Sequence, residues 1–73
     1  MMNENEKLAL LEDIFEMDEN SLTADMSLED IEEYDSITKL SLIVAIEDEF
    51  GKKITGEVIK NFKTVQDILD VMN

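Results

Sequence analysis

No proline interrupts this chain and only two glycines do, so it lacks the breaks that a strand-rich or loop-rich domain requires. Its apolar residues recur three and four positions apart, the spacing of one face of a helix. The expectation is an all-α fold: a small bundle of four helices with a long first loop and a short third helix. The first helix starts at Asn3, an N-cap with Glu6 three positions on, and carries Leu8, Leu11 and Phe15 along one face to about residue 16. Residues 17 to 35 form the long connection, with Leu22, Met26, Leu28 and Ile31 spaced to hold it on the core and a helical turn at Ser27-Leu28-Glu29-Asp30. The second helix runs from about Ser36 to Phe50, stopped by Gly51 in a left-handed conformation, with Lys52 and Lys53 at its negative end. A short third helix starts at Thr55 with Val58, Ile59 and Phe62. In the fourth, Thr64 and Asp67 resemble a capping box, and Val65, Ile68, Leu69 and Met72 make one buried stripe.

At 73 residues the sequence reads as a single domain, 1–73, near the size at which one core only just sustains a fold. Cysteine and histidine are both absent, which removes disulfides, thiolate and imidazole catalysis and the usual zinc sites. A paired-carboxylate hydrolase needs a substrate cleft between its acids, and so short a helical chain has little material for one. No catalytic residue and no metal ligand is therefore assigned, and the chain is not expected to be an enzyme. Nineteen acidic and six basic residues give a formal charge of −13, which repels nucleic acid and anionic membrane surfaces and favours partners with basic patches. The acidic start, Met1 to Glu6, leads into no long apolar run, so neither a signal peptide nor a membrane span is expected, and the location is taken as cytoplasmic.

The second helix has more apolar residues than one core-facing stripe needs. Stepping about 100° per residue from Ile37, Leu40 and Val44 fall on its side, whereas Leu42, Ile43, Ile46 and Phe50 gather opposite. Either the helix is buried all round, or Ile37, Leu40 and Val44 form an outward stripe for a partner, with Glu47 and Asp48 as an acidic rim. At its start, Asp35 and Ser36 are each suited to cap it. If Asp35 caps, the Ser36 hydroxyl is left free where backbone N–H groups and the dipole favour a phosphate ester.

The string Tyr34-Asp35-Ser36-Ile37, then Thr38-Lys39-Leu40-Ser41-Leu42, then Glu47-Asp48-Glu49-Phe50-Gly51 resembles the acyl carrier protein family. That family has Asp-Ser-Leu at the start of its second helix, an apolar residue four after the serine, a Leu six after it, and an acidic stretch ending in Phe-Gly. Asp35, Ser36, Ile37, Leu40, Leu42, Phe50 and Gly51 match in turn, and Ile54 and Thr64-Val65-Gln66-Asp67 extend the likeness over nearly the whole chain. The resemblance implies that a separate phosphopantetheinyl transferase, using coenzyme A and Mg²⁺, attaches 4'-phosphopantetheine to Ser36, beside Asp35. The arm's thiol would carry acyl groups as thioesters and present them to loading and consuming enzymes, which meets the absence of cysteine in the chain. A monomer is expected, and Leu42, Ile46, Ile54, Ile59 and Phe62 are candidates to line an interior for the acyl chain or simply to pack the core.

Departures from the family pattern bear on pathway. Primary fatty-acid carriers usually have Gly-Ala before Asp-Ser, an acidic residue two after the serine and Glu five after it; here stand Glu33-Tyr34, Thr38 and Ser41, and Lys39 adds a positive charge that tunes which partner fits. A dedicated carrier for a specialised acyl, lipid or secondary-metabolite pathway is expected, with an aminoacyl or peptidyl carrier as the alternative. Two other classes stand against it. A calcium loop starting at Asp18 fails because Leu22 and Thr23 stand where a ligand and Gly are required. A plain interaction adapter, in which Ser36 only caps its helix, differs by taking no phosphopantetheine.

Overall fold

The computed structural model describes residues 2–72, so Met1 and Asn73 lie outside the described residues. Four helices follow in order: α1 (Glu4–Phe15), α2 (Ser36–Phe50), α3 (Gly56–Asn61) and α4 (Val65–Leu69), with a 3-10 turn at Leu28–Asp30 inside the long connection. Each boundary has a local cause. Asn3 caps α1 through a capping box in which its side chain accepts the Glu6 N–H and its own N–H donates to Glu6 Oε1 at 3.0 Å. Glu16 ends α1 in the left-handed region, φ 57°, without a glycine. Gly51 ends α2 at φ 66°, where a side chain would be strained. Thr55 caps α3, and Thr64 with Asp67 forms the second capping box, at α4. Phe62 and Met72 fall just outside the helices to which their spacing assigned them, in the caps or turns that follow.

The helices share one core. Leu11 and Phe15 of α1, Leu42 and Ile46 of α2, Ile59 of α3 and Val65, Ile68 and Leu69 of α4 are buried in a single cluster with Met72. α1 packs on both α2 and α4. The connection is part of that packing: Leu22, Leu28 and Ile31 are buried, and Met26 packs half-buried against them. Its backbone is also tied down, because Leu28 N–H donates to Lys63 O at 2.9 Å, Val65 N–H to Met26 O at 3.0 Å and Gln66 N–H to Ala24 O at 2.9 Å. A connection of this length can lie on a core only if such groups are satisfied, and the junction between α3 and α4 supplies the partners. No helix among the described residues is long and apolar enough to cross a membrane.

One buried side chain breaks the apolar rule. Glu12 is only 6% exposed and occupies the position one after Leu11 on the stripe Leu8, Leu11, Phe15. Its carboxylate accepts the Leu22 N–H at 3.0 Å, so α1 holds the start of the connection directly. Glu12→Ala strands that buried N–H and leaves a void; a loss of about 1–3 kcal/mol is expected in denaturant unfolding. A loss under about 0.5 kcal/mol, the scale of a neutral surface change, would show that the bond does not hold the connection.

Carboxylates crowd the surface from Glu29 to Asp35 and again at Glu47, Asp48 and Glu49, and the net charge of −13 makes the compact state self-repelling. Added salt or millimolar magnesium should therefore raise the midpoint of thermal unfolding. A relief of about 1 kcal/mol corresponds to roughly 4–8 °C in a domain of this size. Among the described residues no group of three or more acidic side chains is arranged to hold a metal ion, and the binding expected is weak and nonselective. A midpoint indifferent to both salt and magnesium would remove self-repulsion as a term in the stability.

Candidate attachment and docking site

Asp35, and not Ser36, caps α2. Its backbone is extended, φ −103° and ψ −175°, and its Oδ1 accepts the Thr38 N–H at 2.9 Å. The Asp35 carbonyl accepts the Lys39 N–H, also at 2.9 Å. The Thr38 backbone N–H holds the Asp35 carboxyl below its ordinary value, and the Lys63 and Thr64 backbone N–H groups do the same for Asp67 at α4. With folded values depressed, the contribution of both caps is present at neutral pH and is lost only as pH falls through those lowered values.

Ser36 stands at the first position of α2, exposed, and its hydroxyl has no hydrogen-bond partner among the described residues. The other serines differ. Ser21 donates to the Asp18 carbonyl; the hydroxyls of Ser27 and Ser41 are without partners among the described residues, but Ser27 precedes only a three-residue 3-10 turn and Ser41 lies inside α2. Ser36 therefore combines a free nucleophilic oxygen with the N-terminal end of a 15-residue helix, where an attached phosphate is favoured by the dipole.

Of the two arrangements the spacing left open, the structure has the outward stripe. Ile37, Leu40 and Val44 are 76%, 64% and 58% exposed and are the large apolar side chains left on the surface among the described residues. Leu42 and Ile46, on the other side of α2, are buried. Glu47 and Asp48 are exposed one turn beyond Val44. Leu40 and Val44 also form one wall of a shallow groove of about 490 Å³ whose other wall includes Leu10 of α1, with Asp48 and Glu49 at its end. Leu10 was not singled out in the sequence. Its signal was available, because the run Leu8-Ala9-Leu10-Leu11 is wider than one core stripe.

Lys39 was read from the sequence as a positive charge near the serine. It sits on the side of α2 away from the stripe, with Nζ 5.2 Å from the centroid of the Tyr34 ring, a cation–π arrangement. Tyr34 in turn packs on Phe15, ring centroids 5.5 Å apart at 52°. Its hydroxyl is buried without a hydrogen-bond partner among the described residues, and burial pushes its pKa up, so it stays a neutral donor. Tyr34→Phe deletes an unsatisfied polar atom and keeps the ring, so its unfolding free energy should stay level or rise by up to about 1 kcal/mol. A fall of that size would mean the hydroxyl has a partner in solution. Leu42, Ile46, Ile54 and Ile59, candidates for an acyl interior, are buried in the one core, and Phe62 packs half-buried against it.

Comparison with known proteins bears on this arrangement. Residues 8–72 match the family model described as a phosphopantetheine attachment site. A protein of Thermosynechococcus vestitus named acyl carrier protein is 36% identical over 76 residues, covering 99% of this chain and 94% of that protein. Acyl carrier proteins of Micrococcus luteus and Myxococcus xanthus are 42% and 44% identical over 55 and 52 residues. Those two matches cover 75% and 71% of this chain but only 60% and 58% of the relatives' own lengths. No solved structure gives a significant match.

Proposed function

The chain belongs to the acyl carrier protein family, and from that premise we propose that Ser36 bears its 4'-phosphopantetheine arm and that Ile37, Leu40 and Val44 dock the enzymes that attach and use it. It is a carrier, not an enzyme, and its cofactor is the covalent phosphopantetheine group of the family. That group supplies the thiol on which acyl groups ride as thioesters. The observation that carries the assignment is the exposed, unpartnered hydroxyl of Ser36 beside an Asp35 that already caps the helix. A donor enzyme can reach that oxygen without dismantling the helix start. The bond formed is from Ser36 Oγ to phosphorus and the bond broken is the pyrophosphate link of coenzyme A; adenosine bisphosphate leaves, the hydroxyl proton is lost, and the phosphodiester's negative charge meets the positive end of α2.

A transferase and acyl-handling enzymes are the partners of such a carrier. Basic patches on them are proposed from Glu47 and Asp48, which border the apolar stripe and act mainly on encounter rate. Acyl cargo is proposed ahead of aminoacyl cargo because the relatives are named acyl carrier proteins. A specialised pathway is proposed from Glu33-Tyr34, Thr38 and Ser41, which replace residues usual in primary fatty-acid carriers. The chain has no cysteine, so a thiol titration is decisive: after incubation with coenzyme A, Mg²⁺ and a broad-specificity transferase, the repurified protein should gain one titratable thiol per chain. A protein that gains none would refute the reading.

A further inference from the structure

All six basic residues of the chain are lysines, and three of them, Lys39, Lys60 and Lys63, border one cleft between the 27–31 segment, the first turn of α2 and α3. On a molecule with a charge of −13, half the cations gathered around one concavity make it the place where an anionic group meets the least repulsion. The cleft has a volume of about 530 Å³, within the range that takes a small organic ligand. Leu28, Ile31 and Ile59 give it apolar wall, and Tyr34 lines it as well. Glu29 is the one carboxylate on the lining among the described residues, and Asp67 acts on Lys63 from the start of α4. Asp30, Glu32, Glu33 and Asp35 flank this edge in the sequence, so the excess of cations is confined to the lining itself, where three lysines stand against Glu29.

We propose that this cleft receives the far end of an acyl group that terminates in a carboxylate. The inference rests on Ser36 as the attachment point, because Tyr34 and Lys39 lie two residues before it and three after it and so begin the cleft beside the arm. A plain alkyl chain would use the apolar wall and leave the exposed Lys60 and Lys63 ammonium groups without a counter-charge from the cargo. An aminoacyl group would bring a fourth cation. A carboxylate at the end of a short methylene chain meets both parts of the lining, apolar contact along its length and charge-assisted hydrogen bonds at its tip.

The test loads the unmodified protein from hexanoyl-coenzyme A and from adipoyl-coenzyme A, six-carbon groups that differ at the tip. Thioester cleavage by hydroxylamine is then timed, each rate taken relative to the same thioester on coenzyme A. The adipoyl group should be protected severalfold more than the hexanoyl group. The double variant Lys60→Gln, Lys63→Gln should reduce that difference while leaving the hexanoyl rate unchanged. Backbone amide shifts at Leu28, Lys60 and Lys63 should move on adipoyl loading and not on attachment of the bare arm. Equal protection of the two groups overturns the inference while the mass gain on loading leaves the Ser36 assignment standing. Shifts as large from the bare arm overturn it too, since the anion bound would then be the arm's phosphodiester. Failure of both groups to load removes the attachment reading and the inference with it.

Discussion

Ser36→Ala will abolish attachment of phosphopantetheine and leave the helices of the domain in place. The first half follows from chemistry: alanine has no oxygen to bond to phosphorus, and the remaining serines lack the setting of a free hydroxyl at the first position of a long helix. The second half follows from the division of labour at the start of α2. The Thr38 N–H is already bonded to Asp35 Oδ1 at 2.9 Å, and a methyl group in place of the Ser36 hydroxymethyl would not disturb that bond. The stability change should therefore be smaller than the roughly 0.5–2 kcal/mol of a lost cap. Circular dichroism before and after unfolding, with intact mass after transferase treatment, reads both halves. A variant that still gains the arm sinks the assignment, and one that unfolds shows that Ser36 has a structural part.

Ile46→Asp will unfold the domain, whereas Val44→Asp will leave it folded and slow its modification severalfold or more. The two positions are two residues apart on one helix and differ in what surrounds them. Ile46 is 1% exposed and lies in the common core. An unpaired carboxylate there costs about 3–5 kcal/mol or more, against a total stability of roughly 5–15 kcal/mol with small domains at the low end. Val44 is more than half exposed, so an aspartate there stays in water. Its effect falls on the apolar centre of the docking face, where another negative charge faces the incoming enzyme's apolar surface, and Leu40→Asp should act in the same way. Thermal unfolding and the rate of transferase modification separate the outcomes. Unfolding by Val44→Asp with a folded Ile46→Asp would mean that the faces of α2 are reversed.

What was legible in the sequence was local or periodic. The Asn3–Glu6 and Thr64–Asp67 caps need residues three apart, and Gly51 needs only its own freedom at positive φ. The two faces of α2 follow from the angle between successive side chains, which is why Ile37, Leu40 and Val44 were separable from Leu42 and Ile46. Leu22, Leu28 and Ile31 announced that residues 17 to 35 lie on the core. The backbone bonds Leu28–Lys63, Met26–Val65 and Ala24–Gln66 left no such sign, because pairs so far apart in the chain leave no periodic trace. Glu12 was legible in principle, since a carboxylate on an apolar stripe requires a buried donor, but the donor at Leu22 N–H was not. Tertiary contact alone brings Tyr34, Lys39, Lys60 and Lys63 to one cleft. At Ser36 spacing left two roles open, cap or acceptor; the family pattern and then the Asp35 cap geometry favoured the second.

The central claim is that one serine of four carries the arm. Proteolysis of the transferase-treated protein followed by fragmentation of the modified peptide locates the group residue by residue. Full occupancy is expected at Ser36 and none at Ser21, Ser27 or Ser41; a phosphopantetheine found on any of those three, or a chain that remains unmodified, contradicts attachment at Ser36.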